Sequence, residues 1–262
     1  MKNIKSSDNS WDLAGEKYDT ISRHISDAID HCIIRLDARS NDKVLDVATG
    51  TGWTARQIAK SGIDVTGVDF APELLKAANL LSRNEKVNCS FKLGNAESLP
   101  FKTSEFDKII STFGLIFCNN PEKAVDEIAR VCKPGGKIAL TVWDLDGTVH
   151  EMFKVLKKYT TVNIPSFSPF QWGDKNWVKS ILNPYFRVNF EEGNTVYYEV
   201  SSIAAWEALN LSYGPIIALV QKLDDSQKNM LRQDFINYCD QYKTDLGIAL
   251  PRGYSVILGT RY

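Results

Sequence analysis

Five short apolar runs alternate with helical stretches between residues 43 and 143, and this alternation restricts the fold more than any other feature. The runs cover residues 43–48, 63–69, 87–93, 106–111 and 137–143. Pro72 and Pro121 stand where two of the intervening helices would begin. Strands that alternate with helices in this way pair in parallel and are covered on both faces. The sequence therefore predicts an α/β protein built on a parallel sheet.

The segments on either side of this unit have different patterns. Residues 8–38 look helical, because their isoleucines repeat at three- and four-residue spacing. Residues 149–250 are mostly helical but are interrupted by prolines. Two late runs, 185–200 and 254–262, are β-rich. We expect these runs to pair as an antiparallel edge of the sheet, with the helices between them forming a cap over it.

A glycine pair marks the most informative loop. Gly50 and Gly52 follow the first predicted strand and precede a helix, so a ligand can approach the backbone beside free N–H groups. Asp69 ends the second strand, where a carboxylate can accept hydrogen bonds from ribose hydroxyls. The ligand is then either a dinucleotide or an adenosine-containing methyl donor. Asp46 favours the methyl donor, since a dinucleotide fold usually has an apolar residue at that place.

Five segments of this region are similar, in order and spacing, to the motifs of class I S-adenosylmethionine-dependent methyltransferases. They are residues 46–52 (DVATGTG), 65–75 (VTGVDFAPELL), 94–101 (GNAESLPF), 106–115 (FDKIISTFGL) and 130–136 (RVCKPGG). The subgroup that the chain resembles contains quinone-biosynthesis methyltransferases and bacterial small-molecule methyltransferases.

The resemblance implies a Rossmann-like fold, a mostly parallel seven-stranded sheet with an antiparallel C-terminal edge strand. It also implies three parts of the chain. Residues 1–40 would form an N-terminal helical lid, residues 41–148 the S-adenosylmethionine-binding core, and residues 149–262 a helical substrate cap with the last two strands.

The resemblance further implies S-adenosylmethionine as the cofactor, S-adenosylhomocysteine as the product, and a set of contact residues. These are Asp46, Ala48, Gly50 and Gly52 at the methionine end, Asp69 at the ribose, Phe70, Asn95, Ala96 and Glu97 at the adenine, Ser111 and Thr112 facing the methyl group, and Tyr18 on the lid. Two positions depart from the family. Ala48 replaces the first glycine of its motif, and Asn95 stands where aspartate is frequent.

Methyl transfer requires few catalytic side chains. Displacement at a sulfonium methyl group is accelerated mainly by alignment of the reacting atoms. A base is needed only if the acceptor must first lose a proton. His150, after the fifth strand, and Tyr213, at a helix break in the cap, are the candidates. No metal site is expected, because His24 and His31 share a helix face without a third ligand.

Composition limits the partners. The chain has 31 basic and 32 acidic residues and a net charge of −1 at pH 7, which favours a small, uncharged acceptor over nucleic acid. The aromatic residues of 149–262 suit an apolar or planar molecule. No apolar run is long enough to span a bilayer, and the five cysteines contain no C-x-x-C pair. We therefore expect a cytoplasmic protein, either a monomer or a homodimer.

Three functions stay open on these grounds. A small-molecule methyltransferase leads. An NAD(P)-dependent reductase would use the same type of glycine loop. A non-catalytic S-adenosylmethionine-binding module would hold the cofactor without transferring its methyl group.

Overall fold

The computed structural model describes residues 9–160 and 167–262. Residues 1–8 of the predicted lid and residues 161–166 of the predicted cap lie outside the described residues. The α-helices in the described ranges are α1 (Asp19–Arg23), α2 (Ser26–Leu36), α3 (Trp53–Ala59), α4 (Pro72–Asn84), α5 (Pro121–Val131), α6 (Thr148–Lys157), α7 (Lys175–Leu182), α8 (Ser202–Ser212), α9 (Gly214–Lys222) and α10 (Asp225–Asp240). Short 3-10 helices cover Asn9–Leu13, Gly15–Tyr18, Leu115–Phe117 and Pro169–Gly173.

The strands form a single sheet. They are β1 (Lys43–Val47), β2 (Asp64–Asp69), β3 (Ser90–Leu93), β4 (Phe106–Thr112), β5 (Cys132–Trp143), β6 (Phe186–Glu199), β7 (Lys243–Thr244) and β8 (Gly247–Arg261). Their order is β3-β2-β1-β4-β5-β8-β6, and β7 pairs with β8 outside this path. β1 to β5 run parallel to one another. β8 is antiparallel to both β5 and β6.

The predicted α/β fold, a mostly parallel sheet with an antiparallel C-terminal strand, is confirmed. Two details differ from the prediction. The antiparallel strand β8 lies between β5 and β6, so the edge of the sheet is β6, and the two-residue β7 adds an eighth strand. β8 also begins at Gly247 and not near residue 254, because its first half pairs with β6 beyond the end of β5.

The helix starts follow from capping residues in the sequence. The Asn120 side chain accepts a hydrogen bond from Lys123 N, and Pro121 occupies the first turn of α5, as predicted. α10 begins with a reciprocal pair in which the side chains of Asp224 and Gln227 each bond the backbone N–H of the other. These caps end the preceding loops sharply and set where each helix meets the sheet.

The N-terminal region is helical, but it is broken into short pieces. α2 packs on the sheet through Ala28, Ile29, Cys32 and Leu36, which are all buried. The two 3-10 helices before α1 instead cross the carboxyl edge of the sheet, where they contact α4, α8 and α9. This part of the chain therefore lies over the ends of the strands, and its role as a lid stays a prediction.

A second apolar cluster lies apart from the main core around the sheet. It is centred on α8, α9 and α10 and includes Trp206, Phe235 and Tyr238. Trp11 and Tyr18 pack against it from the N-terminal region. In the described residues no single helix is long and apolar enough to cross a membrane, although α8 and α9 qualify as a pair bent by 94°.

Two aromatic residues of β6 that differ in burial test how this strand packs on the main core. Phe186 is 0% exposed in the main core, whereas Tyr198 on the same strand is 70% exposed. Phe186→Ala should lower the free energy of unfolding by about 3–5 kcal/mol, because it removes a large buried side chain and leaves a cavity. Tyr198→Ala is the matched control and should change it by only about 0.5 kcal/mol. Urea titration measures both, and similar losses in the two variants would contradict the placement of β6.

Candidate cofactor and acceptor site

The loop between β1 and α3 has an unusual backbone. Ala48, Gly50 and Gly52 have positive φ angles of 56°, 57° and 77°. Thr49 N donates to Val68 O at 3.0 Å, which ties the loop to β2. Glycine accepts these angles freely, whereas Ala48 is strained by roughly 1–2 kcal/mol. The predicted arrangement of strand, glycine loop and helix is present.

Asp46 holds this loop from inside the protein. It is buried at the end of β1, and its Oδ2 accepts Thr49 Oγ1–H at 2.5 Å and Ala55 N–H at 3.2 Å. Burial raises the pKa of Asp46 to about 7, although both hydrogen bonds oppose the shift. The carboxyl group thus joins the loop to the first turn of α3.

Asp69 lies at the carboxyl end of β2 and is 6% exposed. Its Oδ2 accepts Gly50 N–H at 2.8 Å and its Oδ1 accepts Ala71 N–H at 2.9 Å. Burial raises the pKa of Asp69, while these backbone donors lower it. Phe70 N–H is a third backbone donor to this carboxylate, so at least one of its four lone pairs stays unused. The group can therefore accept a further hydrogen bond, such as one from a ribose hydroxyl.

The residues predicted at the adenine lie together near the end of β3. Phe70 and Ala96 are half-buried. The Oδ1 of Asn95 accepts Glu97 N–H at 2.8 Å, and Glu97 Oε1 accepts the backbone N–H groups of 119–120 at 2.8 and 3.1 Å. Glu97 therefore anchors the loop before α5. The contact of these residues with adenine stays a prediction.

The two hydroxyl residues predicted to face the methyl group are both engaged in protein contacts. Ser111 is buried, donates to Val47 O at 2.7 Å and accepts Leu115 N–H at 3.1 Å. Thr112 Oγ1 lies 2.8 Å from Thr54 Oγ1 of α3. Ser111 thus links the ends of β1 and β4, and its hydroxyl points into this junction and not toward an open site.

The N-terminal segment closes over the glycine loop. A Cβ atom at Gly50 would lie 3.4 Å from Cε1 of Tyr18, so the Tyr18 ring covers this glycine. Asp19 Oδ1 accepts Thr51 Oγ1–H at 2.9 Å and bonds Arg56 Nη2 at 2.5 Å. Burial, and then the charge of Asp69, raise the pKa of Tyr18. The predicted lid residue thus lies where it can touch the cofactor.

The same segment also bridges the core and the helices of the second cluster. Asp12 Oδ1 accepts Glu73 N–H at the start of α4 at 2.9 Å. The ring of Trp11 lies 4.9 Å from that of Phe117 and 5.5 Å from that of Tyr213, both edge-on. Movement of the lid would therefore change the glycine loop and the cap together.

An aromatic cavity of about 90 Å³ lies between the lid, the cap helices and the carboxyl ends of β4 and β5. Its walls include Tyr18, Phe113, Trp143, Tyr197, Tyr213 and Arg252. This set joins residues from the N-terminal segment, the core and the last strands. We call it the aromatic cavity below.

The two predicted base candidates are separated by the structure. Tyr213 is among the residues of the cavity wall. His150 is not; its Nδ1 lies 2.5 Å from Leu145 O, and its ring stacks on Phe170 at 4.3 Å. His150 is therefore packed into the adjoining core. His24, which sequence reasoning considered only as a metal ligand, does line the cavity.

Three further wall residues were missed in the sequence. Phe113 directly follows β4, and Trp143 is the last residue of β5. Ligands of open parallel sheets bind at this carboxyl edge. This rule alone could have identified both. Arg252 carries no such signal, because its place depends on the pairing of β8 with β6.

Most aromatic residues of 149–262 do not form the cavity. Phe153, Tyr197, Tyr213 and Phe235 line it, and the role of this region as a substrate-binding cap stays a prediction. Phe170 and Trp172 are buried in the main core, and Tyr198 is exposed to solvent. The aromatic surplus in this region is therefore used largely for packing.

Comparison with known proteins gives the family. The family described as a methyltransferase domain matches residues 45–140. An uncharacterized protein of Mycobacterium bovis is 30% identical over 213 residues, which is 79% of this chain and 77% of the relative. The chain belongs to the class I S-adenosylmethionine-dependent methyltransferases. The demethylmenaquinone methyltransferase of Renibacterium salmoninarum is 30% identical over 164 residues, 63% of this chain and 60% of that enzyme.

Solved structures confirm the Rossmann-like fold. A putative methyltransferase of Bacillus halodurans superposes with a TM-score of 0.63 at 19% identity, over 89% of this chain and 98% of that one. Phosphoethanolamine N-methyltransferase 2 of Haemonchus contortus, solved with S-adenosylmethionine, gives 0.57 at 20% identity, over 90% and 52% of the chains. These structures show the fold, whereas the methyltransferase-domain match and the relatives named as methyltransferases show an S-adenosylmethionine-dependent methyltransferase, which they favour over the nicotinamide-dependent reductase that the glycine loop also allowed.

The residues of the loop fit this cofactor. Asp69 retains acceptor capacity for a ribose hydroxyl. A ligand group beside Gly50 would displace the Tyr18 ring, because a Cβ there would already lie 3.4 Å from that ring. The ribose, adenine and methionine groups of the cofactor would then lie along the carboxyl edge of β1, β2 and β3. The methyl end would face the aromatic cavity.

The junction between β1 and β4 can be tested at Gly114. A Cβ atom there would lie 2.6 Å from Cβ and 2.8 Å from the backbone O of Ala48. Gly114→Ala should therefore lower the free energy of unfolding by about 1–3 kcal/mol and weaken S-adenosylhomocysteine binding, because Ala48 must shift. Gly147→Ala is the control, since its Cβ would approach nothing closer than 3.3 Å. Urea unfolding and calorimetric titration measure both effects, and equal changes in the two variants would argue against the junction.

The buried carboxyl group of Asp46 predicts a pH effect. Its pKa is about 7 in the fold, against 3.8 ordinarily, so its contribution to stability is fully present below pH 3.8 and is lost as the pH rises through about 7. In the absence of cofactor, the free energy of unfolding of the wild type should therefore fall relative to Asp46→Asn across this range. Asp64→Asn, on the exposed start of β2, controls for the loss of a carboxylate. A wild-type to Asp46→Asn difference that does not change with pH would contradict the buried, protonated state.

Proposed function

We propose that this enzyme transfers the methyl group of S-adenosylmethionine to a small, planar acceptor that binds in the aromatic cavity. The observation that carries the proposal is the position of the cavity. Its walls meet the carboxyl ends of β4 and β5, beside the glycine loop, where ligands of such sheets bind. Aromatic and apolar walls suit a ring more than a polar chain.

The size of the cavity supports a small acceptor. Its volume of about 90 Å³ is less than the roughly 150 Å³ that accommodates benzene in an engineered protein cavity. An acceptor would thus need the lid, or wall side chains such as Phe153, to move outward. The lid contacts of Asp19 and Trp11 would form again over the bound molecule and exclude water. A polymer would not pass beneath such a lid.

Catalysis in this proposal rests on alignment. The cofactor supplies an electrophilic methyl group on a sulfonium, and the cavity walls hold the acceptor against it. Tyr213 is the base candidate that lies in the wall, whereas His150 is packed away from it. Acceptors that are already nucleophilic would require neither residue.

The relatives add support for a ring as the acceptor. One of them is named as a demethylmenaquinone methyltransferase, and the chain is 30% identical to it over 63% of its own length. Phe113 and Trp143, which stack on each other at 3.9 Å with an angle of 22°, are part of the cavity wall. The five cysteines are free thiols, which suits the cytoplasmic setting that we propose. We propose that the enzyme acts as a monomer or a homodimer.

Removal of Asp69 tests the cofactor site. Asp69→Ala should weaken S-adenosylhomocysteine binding by at least about tenfold, because hydrogen bonds to a carboxylate contribute about 1.5–3 kcal/mol each. Asp64→Ala, at the exposed end of the same strand, is the matched control and should bind normally. Isothermal titration calorimetry gives both affinities, and circular dichroism checks that the fold is intact. An unchanged affinity of a folded Asp69→Ala variant would remove Asp69 from the site.

The acceptor is sought directly. The enzyme is incubated with methyl-labelled S-adenosylmethionine and the unfractionated contents of a cell extract, and mass spectrometry follows the label. We expect it in a low-molecular-weight aromatic product. Label found only in protein or nucleic acid would contradict a small acceptor. Cofactor binding without any labelled product would instead favour the non-catalytic module.

A further inference from the structure

Arg252 belongs to the part of β8 that extends past the end of β5. Its partner in the sheet is Thr195 of β6, whereas β5 pairs with β8 only as far as Trp143 and Tyr254. At this position β8 has no β5 neighbour, and the Arg252 side chain lines the aromatic cavity. It lies at the carboxyl edge of the sheet, on the side of the cap.

The guanidinium group of Arg252 is held by one hydrogen bond and two rings. An Nη2–H group donates to the backbone O of His24. The guanidinium carbon lies 5.8 Å from the ring centroid of Trp143 and 5.3 Å from that of Tyr197. Its Nε is buried and has no hydrogen-bond partner. Burial lowers the pKa of Arg252 to about 10, so the group remains charged at neutral pH.

No carboxylate of the described residues forms an ion pair with this guanidinium. The charge of Asp27 raises the pKa of Arg252 from beyond ion-pair distance, while Asp27 Oδ1 accepts Thr195 Oγ1–H at 2.6 Å and Ala28 N–H at 2.9 Å. Arginine carries five N–H donors, and burying its charge without an anion is unfavourable. Several donors of Arg252 are therefore available at the cavity.

Arg56 shows how this chain treats a buried arginine that has a structural role. Arg56 is 0% exposed and forms ion pairs with both Asp19 and Glu85. Within the described residues Arg252 forms no such ion pair, although it lies among aromatic rings. The contrast indicates that the counter-charge of Arg252 is supplied by a ligand.

We propose that Arg252 binds an oxyanion, a carboxylate or an ionised phenol, on a planar methyl acceptor. The inference rests on the proposed function and extends it to the chemical class of the acceptor. The planar fork of the guanidinium accepts two oxygens of a carboxylate side by side, and a phenolate through one. The aromatic wall of the cavity would hold the flat body of the acceptor, and the charge pair would set its direction. The near-neutral net charge, which favoured an uncharged acceptor, averages over the whole surface and does not report this local positive site.

Two isosteric pairs of probes test the charge requirement. Benzoate is compared with benzamide, and 4-nitrophenolate with 4-nitroaniline, by ligand-observed NMR on the full chain saturated with S-adenosylhomocysteine. At least one anion should bind about tenfold more tightly than its neutral partner, since charged hydrogen bonds contribute that much. The pair that shows the preference distinguishes a carboxylate from a phenolate. Equal affinities in both pairs, or no binding of either anion, would overturn the proposal.

Substitution assigns the preference to the residue. Arg252→Met should abolish the preference for the anion, whereas Arg187→Gln, on the exposed far end of β6, should keep it. Loss of a buried, unpaired charge should leave the melting temperature of the ligand-free protein unchanged or higher. If Arg252→Met proves unstable, Arg252→Lys is measured, because it keeps the charge but not the fork. It should retain only part of the preference, and full retention in either variant would contradict the role of Arg252.

The cofactor offers a competing carboxylate, and its binding separates the two possibilities. In Arg252→Met, the affinity for S-adenosylhomocysteine should stay within about threefold of the wild-type value. A threefold change is smaller than the loss of one charged hydrogen bond would cause. A loss of tenfold or more would assign Arg252 to the cofactor and overturn the proposal. None of these measurements requires methyl transfer. A protein that prefers the anion but labels no product would therefore contradict the proposed function alone.

Discussion

Two buried carboxyl groups hold the loop on which the rest of the site depends. Asp46 bonds the first turn of α3 from within, and Asp69 bonds the loop at Gly50 from the neighbouring strand. Burial of such groups is unfavourable unless they are hydrogen-bonded, and here backbone N–H groups provide most of the bonds. The consequence is a loop held in left-handed turns, which leaves acceptor capacity of Asp69 available at the edge of β2.

The lid and the cap are organised around this loop. Tyr18 covers Gly50, Asp19 bonds Thr51 within the loop, and Trp11 extends the contact to Tyr213 at the break between α8 and α9. The aromatic cavity thus exists only where three distant parts of the chain meet. In the proposed function, cofactor binding and acceptor binding would be coupled through the same few lid residues, because each would need the lid closed.

Much of the core could be predicted from the sequence because its signals are local. The apolar runs of 43–143 and the caps at Pro72 and Asn120 depend on near neighbours, and β1, β2, β4, α4 and α5 lie where the pattern placed them. The start of β8 was missed because it is determined by pairing with β6, more than 40 residues earlier in the chain. Arg252 was missed for the same reason. The aromatic composition of residues 149–262 overstated the size of the acceptor pocket, because aromatic residues serve both to pack the core and to line a ligand site.

Phe113 shows how the loop also shapes the acceptor side. Like Ala48, it has a positive φ, 57°, which a bulky residue adopts only when its surroundings enforce it. The following Gly114 lies against Ala48, where a Cβ would approach the loop backbone to 2.8 Å. The chain must therefore turn sharply after β4, and this turn places the Phe113 ring flat on Trp143 at 3.9 Å. The geometry of the glycine loop is thus transmitted by direct packing to Phe113 and Trp143 in the wall of the cavity, which Arg252 also lines.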